Sequence, residues 1–267
     1  MFTHRTLRSR GYTGKIFIVL DDEDETIEAY REVYGDDILV FCKADIAETF
    51  DEADNTGDRK SIVYARNACF ELARQQGYRY FMQADDDYTT FAYRFDQELR
   101  YGWFGIYDVD SLFENLLTYY ESVPSLLSLC ISQGGDHVGG GSGSFGKVIS
   151  ARRKAMNTFI CSTERPFQFF GRINEDVNVY TTLGRRGALF LTITSAQIVQ
   201  NQTQQTEGGM TDIYRINGTY VKSFYSILYS PSCVSIGWIG QKHKRLHHRV
   251  DWKATAPKII REEWRAS

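Results

Sequence analysis

The stretch from Tyr78 to Tyr88, YRYFMQADDDY, runs from aromatic and apolar residues directly into three consecutive carboxylates. Tyr80, Phe81 and Met82 predict the end of a buried strand, because the run is short and rich in strand formers. Such a strand delivers Asp85, Asp86 and Asp87 to the rim of a sheet. Side chains alternate along an extended backbone, so Asp85 and Asp87 share one side while Asp86 points away. Where the strand gives way to a turn, Asp86 swings toward the ligand instead. Two hard oxygen ligands on one side suit Mg²⁺ or Mn²⁺, which takes a few carboxylates and completes its shell with water and phosphate oxygens. A solvated acidic loop is the competing reading. The apolar lead-in favours a site, since ligands bind at the carboxyl ends of strands in open α/β sheets.

Upstream, Lys15 to Leu20 (KIFIVL) reads as a strand ending in the acids Asp21 to Glu25, and Thr26 to Tyr34 reads as a helix. Ile38 to Cys42 (ILVFC) is a second buried strand, followed by a polar loop from Lys43 to Lys60 that contains Asn55, Thr56 and Asp58. Helix returns at Ser61, where Ile62, Ala65, Cys69, Leu72 and Ala73 recur at helical spacing and Gly77 supplies a stop. The pattern is βαβαβ. Its acidic strand ends, Asp21 with Asp22 and Asp85 to Asp87, would converge on one edge of a parallel sheet, where a nucleotide binds. Arg66 and Asn67 lie on the intervening helix, placed for a diphosphate and for a base or ribose. For Arg66 the alternative is an intrahelical salt bridge. No GxGxxG or Walker sequence accompanies these elements, so the dinucleotide and P-loop classes lack their phosphate-binding glycines.

The 267 residues are 42% hydrophobic and 14% aromatic, enough to bury a full core in one large domain or in a domain with a substantial appendage. The five cysteines are scattered and show no CxxC spacing, which argues for reduced thiols rather than a disulfide framework or structural zinc. The first residues lack an apolar signal region and no later run approaches the roughly 18 apolar residues of a membrane span, so the expected location is cytoplasmic, with no membrane partner. The sequons at Asn201 and Asn217 then read as chance. A net charge of −3 conceals polarity: residues 21–60 hold 15 acidic and 4 basic side chains, whereas residues 238–267 hold 8 basic and 3 acidic ones. That basic segment, with Trp252 and three histidines interleaved, suits contact with phosphates and a base, or is a solvated tail.

Taken in order, a first strand with a nucleotide-facing acid, a helix bearing Arg66 and Asn67, and a third strand ending in Asp-x-Asp resemble the GT-A class of sugar-nucleotide glycosyltransferases. More narrowly, GYTGKIFIVLDDEDET (Gly11 to Thr26), YGDDILVFCK (Tyr34 to Lys43), YFMQADDDY (Tyr80 to Tyr88) and RLHHRVDWKATAPKII (Arg245 to Ile260) are similar to the TET/JBP-associated glycosyltransferases of bacteriophages, which have relatives in eukaryotic chromatin proteins. The resemblance spans nearly the whole chain. It implies a single α/β domain of GT-A type with a mostly parallel central sheet flanked by helices. Residues 1–130 would bind the nucleotide-sugar, 131–237 would supply the acceptor side and the base, and 238–267 would form a basic C-terminal extension. It also implies a UDP-sugar donor, a Mn²⁺ or Mg²⁺ cofactor, and 5-hydroxymethylcytosine in DNA as acceptor. Asp87 would be the direct metal ligand, Asp85 would be shared between metal and ribose, and Asp21, Asp22, Arg66, Asn67 and Asp86 would serve the donor. A late histidine would complete the metal shell, with His247 and His248 favoured over His243.

In the second half, FQFFGRINEDV (Phe167 to Val177) sets Glu175 and Asp176 at the start of a helix, where the dipole favours a carboxylate. Helix capping is one reading. The other, from the resemblance, is a catalytic base, Asp176 or Glu175, that takes the proton from the acceptor hydroxyl. The glycine-rich loop containing His137, Gly139, Gly140 and Gly141 is either an acceptor-side loop or a linker. The polar loop from Gln200 to Met210 is a base- or sugar-contacting element or a surface excursion. Lys244 and Arg245, with Lys242 and Arg249, would neutralise the donor diphosphate or the DNA backbone. Two other classes stay open, a catalytically silent DNA-binding domain and a nucleotidyltransferase.

Overall fold

A computed structural model describes residues 1–54, 57, 59–134, 148–200, 221–240 and 244–258. Asn55, Thr56, Asp58, His137, Gly139, Gly140, Gly141, Asn201, Asn217, Lys242 and His243, with the loop beyond Gln200, lie outside them.

The first half follows the expected order. Strand β1 (Ile18–Asp21) leads to helix α2 (Ile27–Tyr34) and strand β2 (Ile38–Phe41), and β1 pairs β2 in parallel, with Asp21 opposite Phe41. Helix α4 (Val63–Gln75) follows, and Gly77 adopts φ 78° at its exit, a conformation that a side chain disfavours. Strand β3 (Tyr80–Gln83) then ends short of the acids, so Asp85 leaves the strand and Asp86 and Asp87 occupy a turn. Two elements were not anticipated: helix α1 (Phe2–Ser9), short and polar, and helix α3 (Lys43–Ala47) at the head of the polar loop.

The sheet corrects one expectation. β3 belongs to a seven-stranded mixed sheet of order β3-β8-β6-β9-β4-β5, with β7 also pairing β9. Its further strands are β4 (Tyr88–Phe95), β5 (Tyr101–Gly105), β6 (Leu126–Ser132), β7 (Ile149–Ser150), β8 (Phe159–Ser162) and β9 (Leu189–Gln200). Among the described residues, β6 with β9 is its one parallel pairing, and every other pair is antiparallel. The architecture is α/β, but the sheet is mixed rather than mostly parallel. The β1–β2 pair forms a sheet of its own, not the same parallel sheet as β3, and β3 and β4, joined only by the acidic turn, are not neighbours, because β8, β6 and β9 lie between them.

Alternation along the strands divides the core in two. Leu129 and Ile131 of β6 join Leu7 of α1 and Val109, Leu112, Leu116 and Tyr120 of α5 (Val109–Ser122) on one face. Cys130, between them, joins Val63, Tyr64 and Ala68 of α4 and Val177, Val179 and Tyr180 of α6 (Glu175–Gly184) on the other. Each fully buried Leu, Ile or Phe is worth about 2 kcal/mol of apolar transfer, so both helical layers are held by packing more than by their own propensity.

The described part of the C-terminal segment, residues 238–240 and 244–258, is folded, not a solvated tail. Residues 221–229 are helical (α7), and β10 (Val234–Ile239) and β11 (Arg245–Val250) form an antiparallel pair that sets His247 opposite Gly237 and His248 opposite Ile236. Trp252, at the start of α8 (Trp252–Thr255), stacks on Tyr180 with ring centroids 5.6 Å apart, which commits that face of the indole to packing against α6 rather than to a base. All five cysteines are free thiols, as expected. Among the described residues no helix is long and apolar enough to cross a membrane.

Candidate active site

One open cleft of about 1310 Å³ collects most of the singled-out side chains: Asp21, Arg66, Asp85, Asp86, Asp87, Glu175, Asp176, His247 and His248 all line it. They come from both halves of the chain, so the fold performs the convergence that spacing alone could not.

The acidic turn is braced from an unanticipated direction. Thr3 of α1 donates its hydroxyl to the Asp85 carbonyl and its backbone N–H to the Asp86 carbonyl (2.9 Å), while the Tyr88 N–H donates to Thr3 Oγ1 (2.9 Å). Thr6 adds a bond to the Tyr88 carbonyl (2.8 Å), and the Asp85 N–H donates to the buried Tyr88 hydroxyl (3.1 Å). The backbone of the turn is therefore fixed before any ligand arrives.

Gln200, the last residue of β9, donates from Nε2 to Asp85 Oδ2 (3.1 Å) and Asp87 Oδ1 (2.9 Å), while its Oε1 accepts from Asn157. Two carboxylates thus aim at a single donor. Burial pushes the Asp85 carboxyl up from its usual value, with Arg66 opposing and Asp87 adding repulsion. Burial also pushes Asp87 up, with the Gln200 bond opposing and Asp86 adding to the rise. Such a pair suits a hard divalent cation, which typically uses one or two carboxylates and fills its shell with water and phosphate oxygens. Among the described residues no three His, Cys, Asp or Glu side chains converge on one metal-binding point, so the expected grouping of Asp85 and Asp87 with His247 or His248 is not formed.

Arg66, only 4% exposed, joins the two acidic groups. Its Nη2 donates to Asp85 Oδ1 (2.8 Å) and its Nε to Glu175 Oε1 (3.1 Å), and the guanidinium lies over the rings of Phe159 (4.9 Å) and Phe169 (5.7 Å). Burial works against its charge, but Asp85 and Glu175 more than restore it, and its pKa lies above the ordinary value. The intrahelical alternative is thereby set aside, since both partners lie outside α4. Asn67 is turned away from the cleft: its Nδ2 donates to the Phe169 carbonyl (2.9 Å) and its Oδ1 accepts from the Phe169 N–H (2.8 Å), tying α4 to the segment before α6.

At the β1 end, Asp21 lines the cleft and pairs with the buried Lys43 (3.0 Å), whose ammonium also stands 3.6 Å from Glu23. Asp22 does not line it. Its Oδ1 caps the Lys43 N–H (2.9 Å), a bond that, with one from Cys42, holds its carboxyl below the usual range.

Glu175 and Asp176 open α6, as expected. The helix starts from Asn174, held at φ 56° while its Nδ2 donates to the Lys222 carbonyl (2.7 Å) and to Ser226 Oγ (3.3 Å) of α7. Burial and then Asp176 push the Glu175 carboxyl up to about 7, with Arg66 opposing. Asp176 Oδ1 accepts from the Val177 N–H (2.7 Å).

His247 and His248 reach the cleft from β11, with ring centroids 4.2 Å apart. Burial, Lys154, Lys222 and Arg245 push His247 down to about 4, and burial, His247, Lys154 and Lys222 push His248 down to about 3, so both rings are neutral at neutral pH. Lys244 and Arg245 are not among the lining residues. Lining residues that sequence reasoning missed include Lys43, Lys154, Asn157 and Lys222, while Gln200 was expected only as the head of a polar loop. None of the four belongs to a motif or spacing pattern that marks it out.

Carboxylates gathered at strand ends, a buried guanidinium between them and a second acidic pair on a helix start define an α/β group-transfer class of site. A family model described as TET-Associated Glycosyltransferase matches residues 1–209, and the chain belongs to that family; it is a glycosyltransferase. No curated protein and no solved structure matches the chain. The matched span includes the acidic turn, Arg66 and the α6 acids, whereas Lys222 and the β10–β11 pair lie beyond it.

Proposed function

We propose that the protein moves a sugar from a UDP-sugar onto 5-hydroxymethylcytosine in DNA, using Mn²⁺ or Mg²⁺ on a GT-A type core in the cytoplasm. The observation that best supports this reading is the convergence of the Asp85–Asp87 pair and the Glu175–Asp176 pair on one cleft through Arg66. Asp85 and Asp87 would hold the metal, which when bound offsets negative charge developing on the departing diphosphate. Lys43 and Asp21 line the end of the cleft nearest β1, where the nucleoside portion of the donor fits. Asp86, exposed in the turn and lining the cleft, would serve the transferred sugar.

Asp176 acts as general base and takes the proton from the attacking hydroxymethyl group. Glu175 shares Arg66 with Asp85, so it positions the guanidinium that ties donor side to acceptor side. The small-molecule product tests the class of reaction directly. Glycosyl transfer releases a nucleoside diphosphate, nucleotidyl transfer releases pyrophosphate, and a silent DNA-binding domain releases neither from a donor incubated with modified DNA.

A further inference from the structure

We propose that Lys154, Lys222 and His248 form a phosphate-binding wall of the cleft that takes a backbone phosphate of the acceptor strand. The assignment to DNA rests on the reading above. The wall comes from three separate elements: Lys154 lies between β7 and β8, Lys222 on α7 and His248 on β11. Their placement is built. The Lys154 carbonyl accepts from Thr192 Oγ1 (2.8 Å) beside the buried Ala155, and the Lys222 carbonyl accepts from Asn174. His248 is 5% exposed, lines the cleft, and neither of its ring nitrogens has a hydrogen-bond partner among the described residues. Both nitrogens are shielded from solvent, so a small shift of the ring brings its unmet N–H to the cleft wall, and an acceptor supplied by a ligand there relieves the unpaired buried group.

The charge of the surroundings selects that ligand. Among the described residues, the charged side chains that act on His247 and His248 are Lys154, Lys222 and, for His247, Arg245, all cations. A divalent cation brought to these rings would meet ammonium groups, whereas a phosphate would be drawn in and would accept the imidazole N–H as well. The wall also adjoins the acceptor-side acids: burial lowers the Lys222 pKa, and among the described residues Asp176 and Glu175 oppose that fall. The phosphate therefore sits next to the base that deprotonates the acceptor, and the donor diphosphate stays with Asp85 and Asp87.

The test reads binding without turnover, so a failed transfer assay would leave it intact. Affinity of the full chain for an unmodified DNA duplex is measured by fluorescence anisotropy over a salt series, and Mn²⁺ and uridine diphosphate are titrated separately by calorimetry. Lys154→Gln with Lys222→Gln should weaken DNA binding about tenfold and reduce the slope of log affinity against log salt by about one, for the single phosphate that the two lysines share. His248→Ala should weaken DNA binding and leave Mn²⁺ affinity unchanged. Lys154→Arg, which keeps the charge, should restore the slope lost in Lys154→Gln and serves if the double variant does not fold. Unchanged DNA affinity and slope in the lysine variants would overturn the proposal. So would a tenfold loss of Mn²⁺ affinity in His248→Ala, or weakened uridine diphosphate binding with DNA binding intact, which would assign the wall to the donor.

Discussion

The guanidinium of Arg66 stands 2.8 Å from the Asp85 carboxylate and is almost wholly buried, so the strand end that carries the acids is tied to a helix from the same half of the chain. Its other arm reaches Glu175, more than a hundred residues away in sequence. One side chain thus fixes the distance between the two acidic pairs of the cleft. Removing it leaves two partly buried carboxylates without a counter-charge, and Arg66→Ala should lower unfolding free energy by about 2–3 kcal/mol in urea denaturation. Arg66→Lys should recover only part of that loss, because an ammonium cannot span both carboxylates with a planar fork.

Asp87 and Asp176 should separate donor binding from chemistry. Asp87→Ala is expected to abolish transfer and weaken nucleotide-sugar binding in the presence of Mn²⁺. Asp176→Ala is expected to retain donor affinity and lose turnover by about a hundredfold or more, the usual scale for a general base. Calorimetric donor titration beside single-turnover rates checks both; full turnover in Asp176→Ala would move the base to another residue.

Glu175 gives a pH signature. Its carboxyl titrates at about 7 in the folded protein against an ordinary 4.5, because burial and Asp176 disfavour its charge. A carboxyl with a raised folded pKa contributes stability that is complete below its unfolded pKa and is lost as pH rises through the folded one. Between about pH 5 and pH 8 the wild-type protein should lose stability relative to Glu175→Gln. Urea midpoints for the two proteins that run parallel over that range would show that Glu175 is ionised throughout.

Thr3 links α1 to the acidic turn through three hydrogen bonds. Thr3→Val keeps the shape of the side chain and the backbone bond but removes the hydroxyl from two buried bonds, and should cost about 1–3 kcal/mol in unfolding free energy. The same change should weaken Mn²⁺ binding, because Asp85 and Asp87 lose part of the brace that aims them.

Much of the first half is readable from sequence for a local reason. β2, α4 and β3 carry their own periodicity, and the run from Tyr80 to Asp87 joins a strand signal to a charge signal without a gap. The mixed sheet is not readable in that way. The direction of β8 beside β3 depends on a pairing some eighty residues away, with Tyr80 opposite Ser162, and no local pattern encodes it. Asn67 shows the limit for single residues: its neighbour Arg66 points into the cleft, while one step along α4 turns the amide toward Phe169. Gln200 is the reverse case. Its place at the head of a polar loop suggests contact with a base or a sugar, whereas the register of β9 against β4 sets it opposite Tyr88 and so beside both carboxylates.

The central claim is sugar transfer to a hydroxymethylated base. The protein is incubated with Mn²⁺, a panel of nucleotide-sugars and DNA bearing either cytosine or 5-hydroxymethylcytosine, and the digested nucleosides are weighed by mass spectrometry. The account predicts a gain of one sugar unit confined to the hydroxymethylated DNA and absent without divalent metal. No adduct with any donor, from protein that still binds the donor, would contradict it.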